Sequence, residues 1–144
     1  MFDPRRPAGE SPGVRAIVNL FGPTDLTVDA SIVDAERRAD VERFLGFTID
    51  EASMELRRAA SPISYVRGDG PAVLTIHGDA DGTAPVSQAR ALVEALNAAG
   101  QPNVYLEIPE MDHVPGAIWI GSFAQSYRHN IFAFLDDVLA LPGE

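Results

Sequence analysis

Two of the three histidines in this 144-residue chain stand beside carboxylates just past short apolar runs. One run, Ala72-Val73-Leu74-Thr75-Ile76, leads into His77-Gly78-Asp79-Ala80-Asp81, and the other, Val104 to Pro109, leads into Glu110-Met111-Asp112-His113. An imidazole can take a proton from a hydroxyl group near neutral pH. A carboxylate on its other ring nitrogen fixes the tautomer and stabilises the cation that forms. Asp81 and His113, 32 residues apart, are the chemically loaded positions past the two runs. His77, Asp79 and Asp112 flank them and are candidate substrate contacts. Trp119, shortly after His113, is expected either to line the pocket mouth or to pack under the last helix. The nitrogen and oxygen donors of His77, Asp79, Asp81, Asp112 and His113 also suit zinc or manganese, so metal-assisted hydrolysis competes with a site that has no resident metal or cofactor. The plainer reading, a turn aspartate and a structural histidine, competes with both.

The elements that must position these groups are visible as periodicity. Val14 to Phe21 is a short, nearly continuous apolar run closed by Gly22-Pro23, the pattern of a strand buried on both faces. Ala72–Ile76 and Val104–Pro109 are two more. Between about residues 31 and 60 the pattern is helical: Gly46 can close a first helix, Thr48 with Glu51 has the spacing of a capping box for a second, and Ser61-Pro62 stops it. A third helix is expected with Pro85 in its first turn, Val86, Ala89, Leu92, Val93 and Leu96 on one stripe, and Gly100 at its end. Ser122 and Gln125 are spaced to cap a last helix that buries Phe123, Tyr127, Ile131, Phe134 and Val138. Strands alternating with helices argue for an α/β fold: a short parallel sheet of about three strands with flanking helices. In such sheets ligands gather beyond the carboxyl ends of the strands, where the Asp81 and His113 loops fall. Residues 1–13, rich in Pro, Gly and charge, read as a flexible arm before a single domain over 14–144.

Composition narrows the function. The chain is 46% hydrophobic with a formal charge of −10 from 21 acids and 11 bases, every base an arginine. An acidic surface repels phosphate backbones, which argues against nucleic acid. No apolar run approaches the roughly 18 residues of a membrane helix. No apolar stretch follows the early arginines, so a signal peptide is not expected and a cytoplasmic protein is. The absence of cysteine excludes disulfides, thiolate metal sites and a cysteine nucleophile.

Four segments together carry a resemblance. His77-Gly78-Asp79-Ala80-Asp81 with Pro85 resembles the catalytic-acid loop of α/β-hydrolases, and Ile108 to His113 resembles their catalytic-histidine loop. Phe21-Gly22-Pro23-Thr24-Asp25-Leu26 and Ala60-Ser61-Pro62-Ile63-Ser64-Tyr65-Val66 are similar to segments of the esterase, lipase and acylaminoacyl-peptidase-like members. The resemblance runs over about residues 14–140 and corresponds to the carboxyl-terminal half of that fold. It implies that Asp81 holds the His113 ring, that His113 is the general base, that the substrate is ester-like, and that residues 31–60 occupy the place of a lid.

The family's nucleophile is a serine on a strand-turn-helix elbow of the form G-x-S-x-G, ahead of the acid and the histidine. The one literal match, Gly9-Glu10-Ser11-Pro12-Gly13, lacks a preceding strand and runs straight into the next one. Pro12 has no N–H to donate to an oxyanion. Ser61 and Ser64 read as helix stop and loop. The expectation is therefore a hydrolase of activated carboxylic or phosphate esters that uses the Asp81–His113 pair without a serine elbow. A non-catalytic fragment or a subunit complementing a separate amino-terminal half is the alternative. The strand Val14 to Phe21 is too apolar for a solvent-facing edge and has no gatekeeper, so a homodimer pairing two copies of it into a six-strand sheet is expected.

Overall fold

The structure, a computed structural model, describes residues 13–28, 35–46, 48, 54–113 and 122–139, with side chains described from Arg38 in the first helix and from Tyr127 in the last. The elements are β1 (Ala16–Leu20), α1 (Ala35–Leu45), α2 (Met54–Ala59), a 3-10 turn (Pro62–Tyr65), β2 (Ala72–Gly78), α3 (Val86–Ala99), β3 (Asn103–Ile108) and α4 (Ser122–Leu139). The arm up to Pro12, with its serine motif, lies outside the described residues. So do Glu51, Trp119 and the side chains of Ser122, Phe123 and Gln125.

The three strands form one parallel sheet in the order β1-β2-β3. β2 reads as a continuous apolar run because both its faces are covered. Alternate side chains point to opposite faces. Leu74 and Ile76 join Phe21, Met111, Tyr127 and Phe134 on the α4 side, while Val73 meets Leu92 and Leu96 of α3 on the other. Each such side chain, fully buried, contributes about 1.5–3 kcal/mol. The expected α/β arrangement, three parallel strands with flanking helices, is the one observed.

β1 is shorter than its apolar run. Its pairing with β2 ends at Leu20, opposite Ile76, and Phe21 then takes φ +56°, a left-handed conformation that turns the chain off the sheet. At the other end Val14 is 63% exposed. Arg15 reaches across to α4, donating from its guanidinium to the carbonyls of Val138 (2.9 Å) and Leu139 (3.2 Å). A cation there satisfies carbonyls that the helix end leaves unpaired and suits the helix dipole.

Gly46 (φ +75°) closes α1, and Gly100 (φ +69°) closes α3 in the left-handed region where glycine carries no steric cost. Pro85 is the N-cap of α3 rather than part of its first turn. The helix buries Ala89, Leu92 and Leu96, and with them a polar residue, Gln88.

Gln88 is buried because it holds the turn after β1. Its Oε1 accepts from the backbone N–H of Thr24 (2.9 Å) and Asp25 (2.7 Å), and its carbonyl accepts from the Thr24 hydroxyl (2.7 Å). Ser61 holds the same turn from another side: its Oγ accepts from Leu26 N–H (2.8 Å) and donates to the Arg57 carbonyl (2.7 Å). Ile63 N–H donates to Thr24 O, and buried Arg57 donates to Leu26 O at 2.6 Å. Two sequence segments far apart in the chain, 21–26 and 60–66, are thus the two halves of one buried brace.

Candidate active site

In the register of the sheet, Gly78 at the end of β2 sits opposite Ile108 at the end of β3. The loops leaving them, 79–85 and 109–113, therefore start side by side and are stitched together. Asp79 N–H donates to Ile108 O and Ala80 N–H to Met111 O, both at 3.1 Å. The Asp79 carboxylate accepts from Glu110 N–H at 2.6 Å, where Glu110 turns the chain at φ +58°. The Asp112 carboxylate accepts from Gly82 N–H (3.0 Å) and His113 N–H (2.6 Å). Those two backbone donors hold the Asp112 carboxyl below its ordinary range.

Asp81 lies between the loops with its side chain fully buried. Its Oδ1 accepts from Thr83 N–H and Ala84 N–H, both at 2.8 Å, which fixes the carboxylate on the opening of α3. Its Oδ2 faces two imidazoles, His113 Nδ1 at 2.8 Å and His77 Nε2 at 3.1 Å. Because Oδ2 is an acceptor, the hydrogen on His113 sits on Nδ1, and the lone pair of Nε2 is left for chemistry. Among the described residues Nε2 has no hydrogen-bond partner, and the His113 side chain keeps 30% of its surface exposed. An imidazole oriented in this way by a buried carboxylate can accept a proton from a hydroxyl nucleophile and return it to a leaving group.

Of the residues expected to face a substrate, His77 is completely buried. Its ring lies under Asp81, with Nε2 also 2.8 Å from the Ala84 carbonyl, so it offers no surface to a ligand. Asp79 and Asp112 are exposed at the strand ends, and their carboxylates take backbone N–H groups of the facing loop. Among the described residues no three histidine or acidic side chains are grouped to hold a metal ion; His77 and His113 both turn a nitrogen toward Asp81 instead.

The sequence reading passed over Phe21. Its buried ring stands near both imidazoles, with centroids 6.0 Å from His77 and 6.2 Å, edge-on, from His113. Its signals in the sequence were its place at the end of an apolar run and at the head of the 21–26 segment. On the α3 side of β3, Arg90 forms a two-pronged ion pair with Glu107 (2.6 and 3.0 Å), and the Tyr105 hydroxyl donates to the same carboxylate at 2.6 Å. These donors bring the Glu107 carboxyl down to about 2. Burial, with the hydrogen bond to Glu107, pushes the Tyr105 hydroxyl up.

Parallel strands that deliver an aspartate loop and a histidine loop to one edge of the sheet define the α/β-hydrolase class, here in part. Residues 4–96 match the BD-FAE family model, and the chain belongs to that family. The match takes in the Asp81 loop and ends before His113. The chain is 38% identical over 109 residues to esterase LipC of Mycobacterium tuberculosis (strain ATCC 25618 / H37Rv), an alignment covering 74% of this chain and 27% of LipC. Among solved structures it is similar to a truncated form of a carbohydrate esterase from gut microbiota, with TM-score 0.64, 25% identity, and 84% of this chain and 42% of that one covered. It shares the fold of the thermophilic esterase Est2 of the planctomycete Thermogutta terrifontis, with TM-score 0.65, 21% identity, and all of this chain and 50% of that one covered. The chain thus spans about a quarter of the length of the curated relatives it matches and about half of those structures.

Proposed function

We propose that this chain carries the acid–base pair of an ester-hydrolysing site, with Asp81 orienting His113 and His113 Nε2 acting as the general base. The observation that carries this reading is the 2.8 Å contact between His113 Nδ1 and a buried Asp81 Oδ2, with Nε2 unpaired among the described residues. The esterase relatives supply the substrate class. A water held at Nε2 gives up its proton there as its oxygen attacks the acyl carbon or phosphorus, and the imidazolium then protonates the departing alcohol. Asp81 stabilises the imidazolium in between. In a serine triad, losing one member leaves roughly 10³- to 10⁴-fold catalysis, supplied by the oxyanion hole and binding. The pair acting on water, without a serine, is expected to turn over slowly and to favour good leaving groups.

The test is hydrolysis of an activated aryl ester and a phosphotriester by the pure protein, run beside His113→Ala and Asp81→Asn, with and without chelator. Activity lost in both variants and indifferent to chelator is the expected result. Activity that survives both substitutions overturns the reading, and activity removed by chelator replaces it with metal-assisted hydrolysis.

The unpaired edge of β1 favours a second element of the same reading. β1 pairs with β2 alone among the described strands. A cleft of about 440 Å³ runs beside it, lined by Ile17, Asn19, Val73, Leu92 and Leu96 among others. Exposed strand edges recruit further strands. In this proposal a second copy of the chain covers the edge, β1 against β1, and carries a second Asp81–His113 site. Sedimentation of the pure protein at micromolar concentration as a dimer is expected; a monomer there overturns the self-pairing. Co-purification with a different polypeptide that supplies the strand and a nucleophile would instead make this chain a subunit.

A further inference from the structure

The acid of the pair is held from beneath by a second histidine that cannot touch a substrate. His77 belongs to β2, one strand position before Gly78, and has no exposed surface. Its Nε2 lies 2.8 Å from the Ala84 carbonyl and 3.1 Å from Asp81 Oδ2. Both neighbours are acceptors, so a hydrogen must sit on Nε2; it is directed at the Ala84 carbonyl, and Asp81 Oδ2 lies beside it as a charge contact. The other ring nitrogen, Nδ1, is buried with no hydrogen-bond partner among the described residues. A hydrogen on Nδ1 as well would be a buried donor without an acceptor, at the full desolvation cost of that group. A bare lone pair is the cheaper arrangement, and the ring is therefore the Nε2–H tautomer.

We propose that His77 is a positioning residue for the hydrolytic pair: its Nε2–H, donated to Ala84 O and lying against Asp81 Oδ2, attracts that oxygen and fixes the plane of the Asp81 carboxylate so that Oδ2 stays on the line to His113 Nδ1. Among the described residues three donors hold the carboxylate, Thr83 N–H and Ala84 N–H on Oδ1 and His113 Nδ1–H on Oδ2, while the His77 ring stands 3.1 Å from Oδ2. The backbone pair alone fixes one oxygen and leaves the carboxylate free to twist about it. The positive end of the His77 N–H restrains that twist, because it faces Oδ2 from a completely buried ring tied to the Ala84 carbonyl. Phe21 packs on this ring as well as on His113, so the two imidazoles are kept in register by one side chain. Networks in which every polar group on a buried carboxylate is paired are stiff, and removing one member loosens the rest.

This inference rests on Asp81 and His113 working as a pair, but its test does not need activity. Nitrogen-15 NMR of the wild-type protein should show His77 as the Nε2–H tautomer, with that hydrogen protected from water. It should also show a downfield His113 Nδ1–H resonance that persists at room temperature. In His77→Leu, which keeps the bulk and removes the donor, the His113 resonance should be lost to exchange with water. In His77→Gln, whose amide can donate from near the position of Nε2, it should return. A wild-type His77 carrying its hydrogen on Nδ1 overturns the proposal, and so does a His113 resonance unchanged in a folded His77→Leu. If the Leu variant does not fold, the wild-type tautomer and the Gln variant decide the matter. Absence of ester hydrolysis with all of these signals in place would sink the functional reading and leave the positioning role standing.

Discussion

Gly78 and Met111 meet backbone to backbone: a Cβ built on Gly78 would fall well inside van der Waals contact distance of the Met111 carbonyl oxygen and within 3 Å of two further Met111 atoms. That closeness accompanies the hydrogen bonds the β2 and β3 loops share, Asp79 N–H to Ile108 O and Ala80 N–H to Met111 O, and brings Asp81 within reach of His113. Here glycine is required for lack of space rather than for its dihedral angles, since the clashing atoms are mostly main chain and cannot swing away. Gly78→Ala must push the histidine loop off the aspartate loop, and overpacking of this kind costs about 1–3 kcal/mol. Urea denaturation should show the loss as a lower midpoint at unchanged slope, together with a disturbed His113 ring signal. A midpoint equal to wild type would mean that the loops are looser than this contact implies.

Gln88 offers a cleaner measure of what holds the turn after β1. Its amide oxygen is the acceptor for two backbone N–H groups, those of Thr24 and Asp25. Gln88→Leu keeps the helix and the volume while stranding both donors, each at about 1–3 kcal/mol when buried. Gln88→Glu keeps an acceptor in place and should lose less. Thermal unfolding of the two variants beside wild type checks the order, and equal losses would assign the effect to packing instead.

The strands and the two chemical loops were legible in the sequence because a strand covered on both faces shows as an unbroken apolar run, and because Asp81 and His113 each follow such a run directly. The depth of His77 was not legible. Its neighbours in sequence, Gly78 and Asp79, mark a loop, and only pairing on both sides of β2 puts its ring under Asp81. Asp79 and Asp112 each take a donor from the facing loop, a relation between chain segments about 30 residues apart that no local pattern encodes. Gln88 falls just outside the apolar stripe of α3, and its burial follows from the turn it pins rather than from helical periodicity. β1 ends before its apolar run does because Phe21 leaves the sheet at a positive φ, and nothing in the residue type signals that.

Phe21 couples that turn to both imidazoles. Its ring is buried to 1% exposure and its N–H donates to Ile76 O at 3.0 Å. The packing sustains a backbone conformation that non-glycine residues seldom adopt. Phe21→Ala removes the ring and keeps the unfavourable φ, so a loss of about 3–5 kcal/mol is expected, the usual range for a buried phenylalanine. Phe21→Leu should lose less while still freeing the His113 ring from its edge contact. Denaturation midpoints, read with the line widths of the His113 ring signals, test both statements; a Leu variant with wild-type line widths would show that the aromatic edge does not restrain the imidazole.

The Arg90–Glu107–Tyr105 cluster predicts how the fold answers to acid. The Arg90 and Tyr105 hydrogen bonds lower the Glu107 carboxyl from 4.5 to about 2. A carboxyl whose folded value lies below its unfolded one binds its proton more readily in the unfolded chain. Its stabilisation is therefore fully present above about pH 4.5 and is lost as pH falls toward about 2. The pair is largely solvent-exposed and screened, so the contribution is small and sensitive to salt. Glu107→Gln removes this carboxyl from the acid limb. The melting temperature of the variant should fall less steeply than that of wild type between about pH 4.5 and 2, and the difference should shrink in high salt. Parallel acid limbs for the two proteins would show that other carboxylates, and not Glu107, set the acid response on this side of the sheet.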